Sequence, residues 1–205
     1  ELSSQLNAKI ATAHTASDNA ETLLFNIARG TSVKGLAAIP PKRGNIIRPL
    51  IELSRSNIEA YCKKHNLKYV TDSTNLTDDY TRNRLRHNVI PELKRINPQL
   101  EQSVLRLSEN AREISDYLDR QTYKAIKDCK TEFGYSCNKL LSFDRVILKN
   151  AIAEICRADA DFSPESRHID LLESIIRQGG AVNLNKAYRA VSKQGIFRLV
   201  PASQN

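Results

Sequence analysis

The chain has 205 residues and a mass of 23.1 kDa, 40% of it hydrophobic, with 7 Gly, 7 Pro, and 31 Lys+Arg against 23 Asp+Glu for a net charge of +8. That much apolar residue excludes a disordered tail, a collagen-like repeat and a Pro/Gly linker, and no apolar run approaches the roughly 20 residues of a membrane span. The sequence contains no Met, which sets the expectation that further sequence precedes Glu1.

Lys9–Ala13 reads as a short buried strand. A helix follows, with Asp18 as cap, Glu21 three residues on, an apolar face of Ala20, Leu23, Leu24 and Ile27, and Gly30 as its stop. A basic loop broken by Pro40-Pro41 leads to a second strand at Ile46–Ile51. Ser56 and Glu59 form a capping-box pattern for a helix to about His65, with Ile58, Tyr61 and Cys62 on its inner face, and a third strand is predicted at Lys68–Thr71. Residues 9–72 thus alternate β, α, β, α, β, the grammar of a parallel sheet covered by helices. Three strands make a small sheet, so the rest of it is expected upstream.

Composition changes near Asn97-Pro98. From Leu100 the positions Val104, Leu107, Ala111, Ile114 and Leu118 recur at spacings of three and four, predicting a long amphipathic helix. Further helices are predicted over about Asp144–Arg157 and from Ser163-Pro164 to about Gln178, where Gly179-Gly180 end the second. Tyr188–Ser192 and Ile196–Val200 read as a terminal hairpin. The predicted class is α/β: a partial parallel sheet over residues 1–96, then a mainly helical domain with a terminal hairpin over residues 97–205.

The positive charge is concentrated. No acid lies between Glu21 and Glu52, while Arg29, Lys34, Lys42, Arg43 and Arg48 do, and Arg82, Arg84, Arg86, His87, Lys94 and Arg95 form a second cluster interrupted by Glu92. Such clusters suit a polyanion, nucleic acid by default, as well as an ordinary solvated surface. Cys62, Cys129, Cys137 and Cys156 show neither CxxC nor zinc spacing and read as reduced, cytosolic, buried thiols.

Two constellations can carry chemistry. His14, Asp18 and Glu21 stand at a strand-to-helix turn, with the two acids one helical turn apart; they can hold an ammonium group, ligate Mg²⁺ or act as a base, or simply cap the helix. Arg82, Arg86 and Asn83 would line one side of a helix entering at Thr81, suited to phosphate or to salt bridges. Between them, Asp72-Ser-Thr-Asn75 is a natural turn.

The order of AH-x3-D-x2-ET, RG-x5-L-x2-IPP, RPL, DSTN and YTRN-x2-RH-x3-P, from about Thr12 to Pro91, resembles the tRNA(Ile)-lysidine synthetase family of N-type ATP pyrophosphatases. The family's SGGxDS phosphate loop is absent from this sequence, and Ser17 stands where members often carry a second Asp. The resemblance implies an adenine-nucleotide-hydrolase-like first domain and a helical tRNA-binding second one. It implies a carbon-nitrogen ligase in which ATP, with Mg²⁺, adenylates the C2 oxygen of the wobble cytidine of a tRNA(Ile) with a CAU anticodon, and lysine then displaces AMP. His14, Asp18 and Glu21 would line the lysine and reaction pocket. Arg82, Asn83 and Arg86 would face tRNA, and nucleotide as well, with Arg29, Lys42 and Arg43 adding phosphate contacts. The expected location is cytoplasmic, the oligomeric state is left open with a homodimer as the one form named, and the sequence as it stands is expected to be incomplete for activity. The alternatives are a nonenzymatic tRNA-binding fragment and a related thiolating pyrophosphatase, which would need paired cysteines.

Overall fold

In a computed structural model, residue 5 and residues 7–69 and 81–202 are described. They fall into two compact units, residues 1–115 and 116–205. DSTN and the end of the predicted third strand lie outside the described residues; Lys68 and Tyr69 are not in a strand.

In the first unit β1 (Ile10–Ala11) leads to α1 (Ala16–Ala28), and a short helix, α2 (Val33–Leu36), precedes β2 (Lys42–Arg43) and β3 (Ile46–Ile47). β1 pairs in parallel with β3, Ile10 opposite Ile46 and Ala11 opposite Ile47, so β1–α1–β3 is a crossover unit of the predicted kind. The basic loop itself supplies β2, antiparallel to β3 across a turn in which Gly44 has φ +57°, a conformation that suits Gly. β1 is not buried as predicted: Ile10 is 47% exposed, because among the described residues this two-residue strand has a neighbour on one side only.

α1 begins earlier than its predicted cap. Thr15 is the N-cap; its Oγ1 accepts from the Asp18 backbone N–H at 3.3 Å, and Asp18 Oδ2 accepts from the Thr15 N–H at 2.8 Å. The capping box is therefore Thr15 with Asp18, which leaves Glu21 outside it. Ala20 and Leu23 are buried, but Ile27, expected on the apolar face, is 49% exposed near the helix end. The chain leaves the helix through Gly30 at φ +76°.

α3 (Arg55–Lys64) is capped by Ser54, which accepts from the Asn57 N–H at 3.1 Å; Ser56 lies inside the helix instead of capping it. Of the predicted inner face, Ile58 and Cys62 are half-buried and Tyr61 is exposed. α4 (Thr81–Arg84), a π-helical turn (Leu85–Val89) and α5 (Ile90–Ile96) run in succession. Ala20, Leu23, Ile90 and Val104 form the apolar cluster that joins α1, α5 and the start of α6 (Leu100–Cys129). Asn19, almost fully buried, donates to Ser108 Oγ at 3.2 Å and accepts from the Ile39 N–H at 2.9 Å.

The predicted long helix forms, but its buried seam is shifted. Val104, Ser108, Ala111, Ser115, Thr122, Ala125 and Cys129 face inward, whereas Leu107 and Ile114 are 44% and 51% exposed. Small residues on the seam allow close approach of neighbouring backbone, a requirement that a count of large apolar side chains cannot register.

The second unit packs α7 (Cys137–Leu141), α8 (Arg145–Ala160) and α9 (Ser166–Gln178) against one five-stranded antiparallel sheet, ordered β4 (Lys130–Thr131), β5 (Gly134–Ser136), β8 (Ile196–Pro201), β7 (Tyr188–Lys193), β6 (Gly180–Asn183). The terminal hairpin is present as predicted, within a larger sheet. Gly180 starts a strand directly after the helix that Gly179 ends. α9 is capped by Glu165, not Ser163. Phe197, Leu140, Leu148, Ile152, Ile155 and Leu172 are fully buried in its core. Cys129, Cys137 and Cys156 are buried free thiols, and desolvation pushes the Cys156 thiol up to about 11.

Candidate active site

The ends of β1 and α1 open on a cavity of about 620 Å³ in the first unit, lined by Ala13, Thr15, Ser17, Asp18 and Glu21 on one side and by α3, Arg86, Pro91, Lys94 and Glu101 on the others. The C-terminal edge of parallel strands, beside a helix N-terminus, is where α/β sheets place their ligands.

Glu21 is 4% exposed and accepts twice from Arg86, Nε to Oε1 at 2.6 Å and Nη2 to Oε2 at 3.0 Å. This fork-to-fork geometry fixes both side chains in one orientation. Arg86 Nη2 also lies 3.6 Å from Asp18 Oδ1. The hydrogen bond that Arg86 donates to Glu21 holds the Arg86 pKa above the ordinary arginine value, against partial desolvation, and the charges of Glu21 and Asp18 add to it. Asp18 has two duties, since its Oδ2 caps α1 and its Oδ1 faces the guanidinium. His14 shares a hydrogen bond between its Nδ1 and Thr12 Oγ1 at 2.9 Å and is half-buried, but it does not line the cavity.

The row predicted from Arg82, Asn83 and Arg86 is split. Arg82 is exposed, Asn83 is 8% exposed, and Arg86 turns to Glu21. The π-helical turn accounts for this: a wider turn rotates the residues that follow it, so positions four apart no longer stack. Arg29 is exposed with its guanidinium 5.1 Å from the Phe25 ring centroid, and Lys42 and Arg43 are exposed on β2.

A second polar group at the cavity wall escaped the sequence reading. Glu101 Oε1 accepts from Lys94 Nζ at 2.8 Å and from Ser17 Oγ at 2.7 Å, and its side chain is 12% exposed. A carboxylate thus reaches position 17 from α6, 84 residues away. The only signal available was an acid in the first turn of the long helix, which sequence logic assigns to the helix dipole. Cys62 also lines the cavity, while the other three cysteines are buried in the second unit. Among the described residues no group of three or more His, Cys, Asp or Glu is arranged to hold a metal ion.

Residues 2–93 match the family described as PP-loop domain, and the small parallel pairing crossed by α1 fits the nucleotide-hydrolase-type α/β fold of that class. The matching relatives narrow this. A tRNA(Ile)-lysidine synthase of Thermosipho africanus is 45% identical over 119 residues, 58% of this chain and 28% of that protein. One from Thermotoga maritima is 42% identical over 123 residues, 56% and 30%, and one from Borrelia garinii subsp. bavariensis is 32% identical over 150 residues, 73% and 34%. Over these stretches the chain is similar to tRNA(Ile)-lysidine synthases. It spans about a third or less of the length of these relatives.

Proposed function

We propose that the chain is part of a cytoplasmic carbon-nitrogen ligase that converts the wobble cytidine of CAU-anticodon tRNA(Ile) to lysidine. ATP activates the C2 oxygen as an adenylate with release of pyrophosphate; the lysine ε-amine then attacks C2 and AMP departs. A carbonyl oxygen is a poor leaving group, which is why an ATP-using domain accompanies the chemistry. The PP-loop match and the lysidine synthase relatives support ATP and tRNA(Ile) as substrates.

The observation that carries the reading is the Asp18–Glu21–Arg86 cluster in the cavity wall. Free lysine is mostly ammonium at pH 7 and must react as the neutral amine. Two carboxylates one helical turn apart receive the ammonium, and one accepts its proton as the amine attacks. Arg86 fixes Glu21 and offers a positive charge to the phosphate side of the adenylate. His14, outside the cavity lining, holds the strand exit through Thr12. Within this reading, residues 1–96 supply the chemistry and residues 97–205 hold the tRNA, with Arg82, Arg29, Lys42 and Arg43 as exposed phosphate contacts. Cys62 alone at the cavity does not meet the paired-thiol requirement of a thiolating enzyme.

Glu21→Gln in the full-length gene product tests the reading, because it keeps shape and removes the charge. Labelled lysine incorporation into tRNA(Ile) should fall by at least about 100-fold, with tRNA affinity unchanged. Unchanged incorporation removes Glu21 from the reaction.

A further inference from the structure

From residue 174 to the C-terminus the sequence contains no Asp or Glu, yet it contains Arg177, Lys186, Arg189, Lys193 and Arg198. The preceding part of the second unit, residues 116–173, has 9 Lys+Arg against 11 Asp+Glu. The surplus positive charge of this unit therefore belongs to its last elements, and the strand register places most of it on one face.

Ala190, Ser192 and Phe197 point into the core, so their neighbours point outward. Val191 pairs with Arg198, Arg189 with Val200, and Lys193 with Ile196. Arg198 on β8 is thus the direct partner of Val191 and the diagonal neighbour of both Arg189 and Lys193 on β7. Diagonal neighbours stand about 7–8 Å apart, which puts three exposed cations around one half-buried valine. β6 extends the face with Asn183, opposite Arg189, and Ala181, opposite Val191, both exposed. The helices α7, α8 and α9 pack on the sheet from its other side.

We propose that this outward sheet face, centred on Arg189, Lys193 and Arg198, is a contact surface for the phosphate backbone of RNA. Like charges set diagonally on a sheet repel one another, a cost that a polyanion removes and that β6, β7 and β8, which carry no acid, cannot; Glu132 lies outside them, in the β4–β5 turn. The amide of Asn183 adds a donor for phosphate or ribose oxygens. Val191, Ile196 and Val200 are half-buried between the cations, so none of the three protrudes as a bilayer anchor would, and the exposed Phe133 lies in the β4–β5 turn at the sheet edge. The choice of RNA among polyanions rests on the tRNA-modifying reading above; the charge arrangement does not.

The test uses the 205-residue chain and a tRNA(Ile) transcript, with affinity followed by fluorescence anisotropy from 50 to 200 mM salt. The triple variant R189Q/K193Q/R198Q, all at exposed positions, should melt no lower than the wild type, since it relieves that repulsion. It should bind at least tenfold more weakly at low salt, and the slope of log K against log salt should fall by about 2–3, since each of the three lost phosphate contacts removes about 0.7–0.9. A variant losing the same charge on α6, R120Q/K124Q/K127Q, should change both far less. Equal effects of the two triples would show diffuse attraction and overturn the assignment, as would wild-type affinity in the sheet variant. Binding of the wild type to phosphatidylserine vesicles but not to RNA would overturn it in favour of a membrane. Failure of the wild type to bind tRNA would also sink the RNA part of the proposed function, whereas wild-type binding that the sheet variant retains removes only this surface.

Discussion

Residues 1–115 bury Thr15, Asn19, Glu21, Asn83 and Ser108 around an apolar cluster of four side chains, whereas residues 116–205 bury fifteen hydrophobic side chains in one cluster. In the first unit the interior positions are used to orient polar groups toward a cavity. In the second most of them exclude water, with Thr122, Glu173 and Ser192 as its buried polar side chains, and a row of cations stands on a sheet face. Buried polar groups stabilise little net but specify geometry, while apolar burial stabilises by roughly 25 cal/mol per Å². The contrast teaches that the first unit is organised for placement and the second for stability.

The largest test of that contrast is Phe197→Ala. Phe197 is fully buried in the second unit, and its loss should destabilise by about 3–5 kcal/mol; a denaturant melt that moves by under 1 kcal/mol would deny that this cluster holds the unit together. Asn19→Ala is the corresponding break in the first unit. It strands the Ile39 N–H and Ser108, and should cost about 1–3 kcal/mol while reducing lysine incorporation through the displaced start of α1. Thr15→Ala removes the N-cap and should cost about 1 kcal/mol. Thr15→Ser should restore it, which distinguishes capping from packing.

The mildest probe perturbs nothing. In the native chain iodoacetamide should modify Cys62, half-buried at the cavity, well before Cys129, Cys137 and Cys156, and all four should react in denaturant. Peptide mapping reads the order. The same burial makes the second unit alkali-sensitive. The folded Cys156 thiol sits at about 11 against an ordinary 9.0, so as pH rises past 9 the unfolded state loses its proton first. Stability contributed by that thiol is therefore present below pH 9 and lost toward pH 11, visible as a falling melting temperature.

Much of the fold was legible. The β1–α1–β3 crossover, the long helix, the two helices after it and the terminal hairpin all follow from period and punctuation. Helix starts were misplaced because several residues near each start could cap, and the choice among Thr15 and Asp18, Ser54 and Ser56, or Ser163 and Glu165 depends on where the chain arrives from. β4 and β5 were missed because two- and three-residue strands leave almost no alternation to detect, and β6 because Gly179-Gly180 read only as a helix stop. In the site, the acids of α1 were visible as a pair, but their partner was not. Glu21 and Arg86 are 65 residues apart, and Arg86 looked like one of several surface cations. Glu101 was invisible for the same reason, since its role comes from reaching Ser17 across the fold.

The π-helical turn at Leu85–Val89 has one more consequence. The turn comes just before Pro91, which has no N–H to give the helical ladder and whose ring crowds the carbonyl four residues earlier, so a wider turn lets the chain run through that proline without a break. The same turn carries Arg86, whose guanidinium meets Glu21 and Asp18. A residue that looks like simple punctuation between helices thereby helps to aim a charge at the cavity.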